Sequence, residues 1–108
     1  MAEAHAAEVA ERLAINRQAV TALCRRHHIA RLALFGSVLR DDFRADSDVD
    51  MLVEFQPGRV PGYITLAGIA LELERVVGRP VDLRTPNELS RYFRDDVLSR
   101  ARPVYAAA

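Results

Sequence analysis

Ser47-Asp48-Val49-Asp50-Met51-Leu52-Val53-Glu54-Phe55 is the stretch that decides how this chain is read. It has the composition of a β-strand, and in an extended strand alternate side chains leave the same face. Asp48 and Asp50 therefore share one face, while Val49, Met51 and Val53 pack behind them. Two like charges held side by side oppose each other's ionisation unless a cation neutralises them. A divalent ion that prefers oxygen ligands, most simply Mg2+, removes that cost and turns the pair into a catalytic group. Upstream, Arg31-Leu32-Ala33-Leu34-Phe35 reads as a short buried strand stopped by Gly36, after which Ser37 opens a helical turn. A strand, a glycine and exposed N–H groups make an anion-binding corner. The aspartate pair and this corner together read as a metal–nucleotide site.

The rest of the chain supplies a scaffold for that site. Residues 4–13 have helical composition, and Asn16 is placed to cap a second helix through about residue 28, with Val20, Leu23, Cys24 and His27 on one stripe. Residues 41–47 read as a polar loop. The strand over 48–55 is closed by Pro57, Gly58, Pro61 and Gly62. Over 63–77 the apolar positions Leu66, Ile69, Ala70, Leu73, Val76 and Val77 recur at helical spacing, and Gly78 falls where a helix C-terminus favours glycine. Residues 79–84 supply a third strand carrying Asp82, residues 86–100 a further helical stretch, and residues 103–105 an edge strand, with a frayed alanine terminus after it. The sum predicts an α/β (α+β) fold in one domain over residues 1–108, a small mixed sheet with helices packed on it.

Composition narrows the function. All 15 basic residues other than histidine are arginine. A Walker-type phosphate loop, a Schiff-base mechanism and a covalent lysyl-nucleotide intermediate each need a lysine and are excluded. The formal net charge is zero, so there is no electrostatic footprint for direct nucleic-acid binding. The single Cys24 lies in a helical pattern and reads as a buried core thiol in a reducing, cytoplasmic setting. No apolar run is long enough to span a bilayer, and acidic residues occupy the first dozen positions where a signal peptide needs a basic start.

Phe35-Gly36-Ser37-Val38-Leu39-Arg40-Asp41, then Ser47-Asp48-Val49-Asp50-Met51-Leu52-Val53, then Pro80-Val81-Asp82-Leu83 resemble the minimal nucleotidyltransferases of the polymerase-beta superfamily. Asp41 stands where that family usually has a glycine, and Leu39 where it often has a small residue. The resemblance implies transfer of a nucleoside monophosphate, usually AMP from ATP, to a hydroxyl with loss of pyrophosphate. Asp48, Asp50 and Asp82 would be catalytic and would hold Mg2+, two ions in the usual arrangement. Gly36 and Ser37 would hold the terminal phosphates, with Arg40 adding charge. Members of this class commonly pair with a HEPN-domain toxin. The resemblance then implies an antitoxin that adenylylates its partner, typically on tyrosine, or that restrains it by binding alone. Transfer to a small-molecule hydroxyl is a third reading, disfavoured because no appended substrate domain is present.

Several of these signals have simpler explanations. Asp82 is also accounted for by an ion pair with Arg84 on the same strand, and Arg40 by pairing with Asp41 or Asp42. His27 and His28, near a helix end, need no metal to explain them. Tyr92, Phe93 and Tyr105 are either packing groups or a contact surface. The group Arg94, Asp95, Asp96 and Arg100 reads as a solvated helix face.

Overall fold

Strand β1, Ile29–Phe35, is buried on both sides through Leu32, Ala33 and Leu34. A run apolar on both faces belongs at the centre of a covered sheet. The computed structural model, which describes residues 15–39 and 47–107, places it there. β2 (Val49–Phe55) and β4 (Arg102–Ala106) flank β1 as antiparallel neighbours, and β3 (Val81–Arg84) lies parallel to β2, giving the order β3-β2-β1-β4. The parallel pair requires a crossover, and α2 (Tyr63–Val77) provides it. The mixed α/β fold matches the expectation from sequence. The predicted helix over residues 4–13 and loop over 41–47 fall largely or wholly outside the described residues.

One face of the sheet presents Leu32, Leu34, Val49, Met51 and Val53 to α1 (Arg17–Arg26) and α2, which return Val20, Leu23 and Cys24 from one and Ile69, Leu73 and Val77 from the other. Those helical positions fall at three- and four-residue intervals, the spacing of one buried stripe. The other face is thinner: Ala33 and Leu52 pack with Ala101, and Phe35, Leu89 and Leu98 border them. Asp50 alternates with Met51 on β2, so it belongs to this second face.

Helix ends follow local chemistry. Asn16 caps α1 by accepting from the Ala19 N–H at 3.1 Å. The helix stops at Arg26 rather than near residue 28, because His28 turns left-handed at φ 58° and hands the chain to β1 at Ile29, two residues earlier than predicted. α2 runs over 63–77 as read from sequence, and Gly78 ends it at φ 80° with its N–H on the Glu74 carbonyl. Its outer side carries Ile64 and Leu71, 91% and 57% exposed, beside the exposed Val60 and Tyr63.

Residues 86–100 are not one helix. Thr85 and Glu88 form a capping box around a single 3-10 turn, Pro86–Glu88, and Leu89 is extended at ψ 142° before α3, Arg94–Arg100. Arg94 bridges the break by donating to the carbonyls of Pro86 at 2.8 Å and Leu89 at 3.1 Å. It is therefore a brace and not part of a solvated face, whereas Asp96 and Arg100 do form an exposed i,i+4 pair. The third strand starts at Val81, not at residue 79. β4 continues to Ala106, and the Ala107 N–H bonds the Ala30 carbonyl at 2.8 Å, so the terminal alanines pair further than expected.

Candidate active site

Register brings the acidic side chains together. Asp50 on β2 is the direct partner of Asp82 on β3, and also of Phe35 on β1. Directly paired residues on neighbouring strands point to the same face. Asp82 thus shares a face with Asp50. Asp48 lies one residue before β2, exposed, at the position whose alternation matches Asp50. The apolar backing is as the alternation predicts: Val49, Met51 and Val53 are fully buried behind them.

Two bonds fix β3 against the rest. The Val49 N–H donates to the Pro80 carbonyl at 2.9 Å, and the Val81 N–H donates to the Glu74 carboxylate of α2 at 3.2 Å. Glu74 therefore sets where the strand bearing Asp82 begins.

Gly36 follows β1 at φ 74°, a conformation that residues with a Cβ seldom adopt. A Cβ there would collide with Asp50 Oδ2 and lie 3.1 Å from its Cγ. The glycine is thus required twice, by its backbone and by the carboxylate that occupies the space a side chain would fill. The predicted helical turn is present as a 3-10 segment, Gly36–Leu39. Arg40 lies outside the described residues.

Asp82 is paired with Arg84, which donates from Nε to Oδ1 at 3.0 Å and from its terminal nitrogen to Oδ2 at 3.5 Å. The ion pair offered by the sequence is present, and the aspartate that makes it lies in register with Asp50. Asp82's hydrogen bond and charge hold the Arg84 guanidinium above its ordinary pKa, with Glu88 and Asp50 adding to the effect. Among the described residues no three acidic, histidine or cysteine groups already stand at the spacing of a metal site. The donor set nonetheless suits Mg2+, being carboxylate oxygen throughout, and Asp50 Oδ2 takes the space that a Cβ at Gly36 would fill.

On the β1–β4 side of Gly36 the surface opens into a cleft of about 640 Å³ lined by Phe35, Leu39, Val97, Arg100 and Arg102. Arg102 Nε is buried there with no acceptor among the described residues. Nothing in the sequence around Arg102 marks it; only the pairing of β4 beside β1 carries it to the end of the sheet where Gly36 lies.

His27 is half-buried, with Nε2 3.1 Å from Glu72 Oε1, and Arg26 binds the same carboxylate. This cluster lies between α1 and α2, so the ion pair with Glu72 accounts for His27.

The profile of the Nucleotidyltransferase domain family matches residues 16–104. MJ0435 of Methanocaldococcus jannaschii, named as a protein adenylyltransferase, is 35% identical over 79 residues, which cover 73% of this chain and 83% of that protein. A solved minimal nucleotidyltransferase is 41% identical, superposes with a TM-score of 0.65, and covers 79% of this chain and 85% of its own. The same fold recurs in the solved complex of tri-AMPylated Shewanella oneidensis HEPN toxin with MNT antitoxin, at 19% identity and a TM-score of 0.60 over 84% of this chain and 70% of that one. The chain belongs to the nucleotidyltransferase domain family, as one of its minimal members.

Proposed function

We propose that this protein is an antitoxin that transfers AMP from ATP to a tyrosine hydroxyl of a HEPN-domain toxin in the cytoplasm. The observation that carries the reading is the direct register of Asp50 with Asp82 beside the bare backbone of Gly36. Kinship with a protein named as an adenylyltransferase, and with the fold of an MNT antitoxin solved with its AMPylated HEPN toxin, supports the choice of reaction and partner. No helix among the described residues is long and apolar enough to cross a membrane.

In this mechanism Asp48, Asp50 and Asp82 would hold Mg2+, two ions in the full arrangement. When bound, the metal supplies Lewis-acid polarisation and neutralises the pyrophosphate leaving group. The chain's own groups do the rest. Backbone N–H groups at Gly36 and Ser37, with Arg40, seat the terminal phosphates. The acceptor hydroxyl oxygen forms a bond to the α-phosphorus as the bond from that phosphorus to the bridging oxygen breaks. Pyrophosphate leaves, and Asp82 takes the hydroxyl proton. Positioning and charge neutralisation account for most of the acceleration.

The test mixes the protein with its HEPN partner, ATP and Mg2+, and weighs both chains by intact mass spectrometry. One or more AMP additions on the partner, absent with Asp48→Asn/Asp50→Asn, are expected. The engagement of Asp82 by Arg84 favours a second reading, neutralisation by binding alone. It predicts that the double variant still silences the toxin and that no mass is gained.

A further inference from the structure

Arg84 sits two residues beyond Asp82 on β3, so the two side chains share the face that also carries Asp50. Its guanidinium lies on both oxygens of Asp82. Those are the atoms that a divalent cation would coordinate. A guanidinium and Mg2+ cannot occupy the same lone pairs, and their like charges repel at that separation. One must leave when the other arrives. Arg84 is free to be the one that leaves: its side chain is 47% exposed and stands on an edge strand. A triphosphate carries more negative charge than one carboxylate and so offers it a stronger bidentate partner than the one it gives up.

Resting on the reaction proposed above, we propose that Arg84 is an internal counter-cation that occupies Asp82 until nucleotide arrives, so that uptake of the divalent ion is coupled to binding of the nucleoside triphosphate. Arg84 is then a positioning residue in the resting protein and a phosphate contact in the loaded one. The coupling is reciprocal by linkage: whatever Arg84 costs the cation in the absence of nucleotide, the nucleotide recovers by drawing the arginine away. A lone metal ion is thereby disfavoured at the site, and the Asp82 carboxylate stays paired in the absence of nucleotide.

The test measures two affinities in the wild type and in Arg84→Leu: Mn2+ alone, by the loss of the free-ion electron paramagnetic resonance signal, and ATP with Mg2+, by calorimetry. Arg84→Leu is expected to tighten Mn2+ by about fivefold or more, the lower end of typical coupling, and to weaken ATP with Mg2+ by a similar factor. Arg84→Lys, which keeps the charge and loses the fork, should fall between. Adding Asp82→Asn to Arg84→Leu should abolish the gain in Mn2+ affinity, which separates a freed ligand from an altered fold. Mn2+ binding that is unchanged or weaker in Arg84→Leu overturns the proposal, as does an unchanged affinity for ATP with Mg2+. If the wild type takes up no ATP with Mg2+ at all, the transferase reading fails first. If it does take it up and only the Arg84 comparison is flat, that reading stands and the coupling falls.

Discussion

Gly36→Ala tests the geometry of the site at one atom. An alanine at φ 74° pays about 1–2 kcal/mol for the left-handed conformation. The new methyl also meets Asp50 Oδ2 and stands 3.1 Å from Cγ and 3.3 Å from Cβ, so the carboxylate must swing off its rotamer or the strand must shift, an overpacking cost of about 1–3 kcal/mol. The expected loss is about 2–5 kcal/mol, read by urea denaturation. For a domain of this size each kcal/mol moves the melting temperature by about 4–8 °C. The two contributions separate in a double-mutant cycle. In an Asp50→Ala background the carboxylate is gone, so Gly36→Ala should cost only the backbone share of about 1–2 kcal/mol. The difference between backgrounds measures the collision. AMP transfer should fall about a hundredfold in Gly36→Ala if Asp50 is displaced by an ångström. Equal costs in the two backgrounds would refute the packing argument, and an unchanged transfer rate would refute the placement of Asp50 at the reacting centre.

Three further outcomes are expected. Glu74→Ala removes the acceptor for the Val81 N–H; it should destabilise the fold by about 1–3 kcal/mol and speed hydrogen exchange at the Val81 amide more than at the centre of β1. Burial pushes the Cys24 thiol up to about 12 from 9.0. Above pH 9 the unfolded chain loses this proton while the folded one keeps it. The stability is therefore full below pH 9 and lost as pH rises towards 12, at no more than about 1.4 kcal/mol per pH unit; thiol reagents at pH 8 should label Cys24 only as fast as the protein opens. Burial alone would raise the pKa of Glu72, but the hydrogen bonds and charges of His27 and Arg26 outweigh it and hold the carboxyl below 4.5. Its contribution is present above pH 4.5 and lost as pH falls through the lower folded-state value. Glu72→Gln should therefore flatten the acid limb of the stability curve, and an acid limb as steep as that of the wild type would count against the pairing.

What the sequence made legible was whatever a single period or a single breaker determines. Alternation placed Asp50 opposite the buried Val49, Met51 and Val53, and the stripe ending at Gly78 located α2 over residues 63–77. The break in residues 86–100 was harder to see. It depends on a Thr85–Glu88 side-chain exchange and on Arg94 reaching back to the carbonyls of Pro86 and Leu89, contacts that helical periodicity does not encode. The early start of β1 depends on His28 adopting a left-handed turn that glycine would have advertised. Most of the strand order was likewise hidden. Nothing local says that β4 pairs with β1, yet that pairing brings Arg102 to the cleft beside Gly36. The ion pair of Asp82 with Arg84 was one of two rival readings of that aspartate, and the register of β2 with β3 sets both side chains on the face of Asp50.

That register also limits how a chain of this kind can change in length. Adding or deleting one residue inside β3 ahead of Asp82 would rotate its carboxylate to the opposite side of the sheet, among Val49 and Met51, while leaving the pairing of backbone groups almost intact. The same change in the turn at residues 78–80, before the strand begins, alters only the approach. Length variation among working relatives should accordingly collect in such turns and spare the few residues on either side of Asp50 and Asp82, where parity alone separates an acidic pocket from a charge buried in oil.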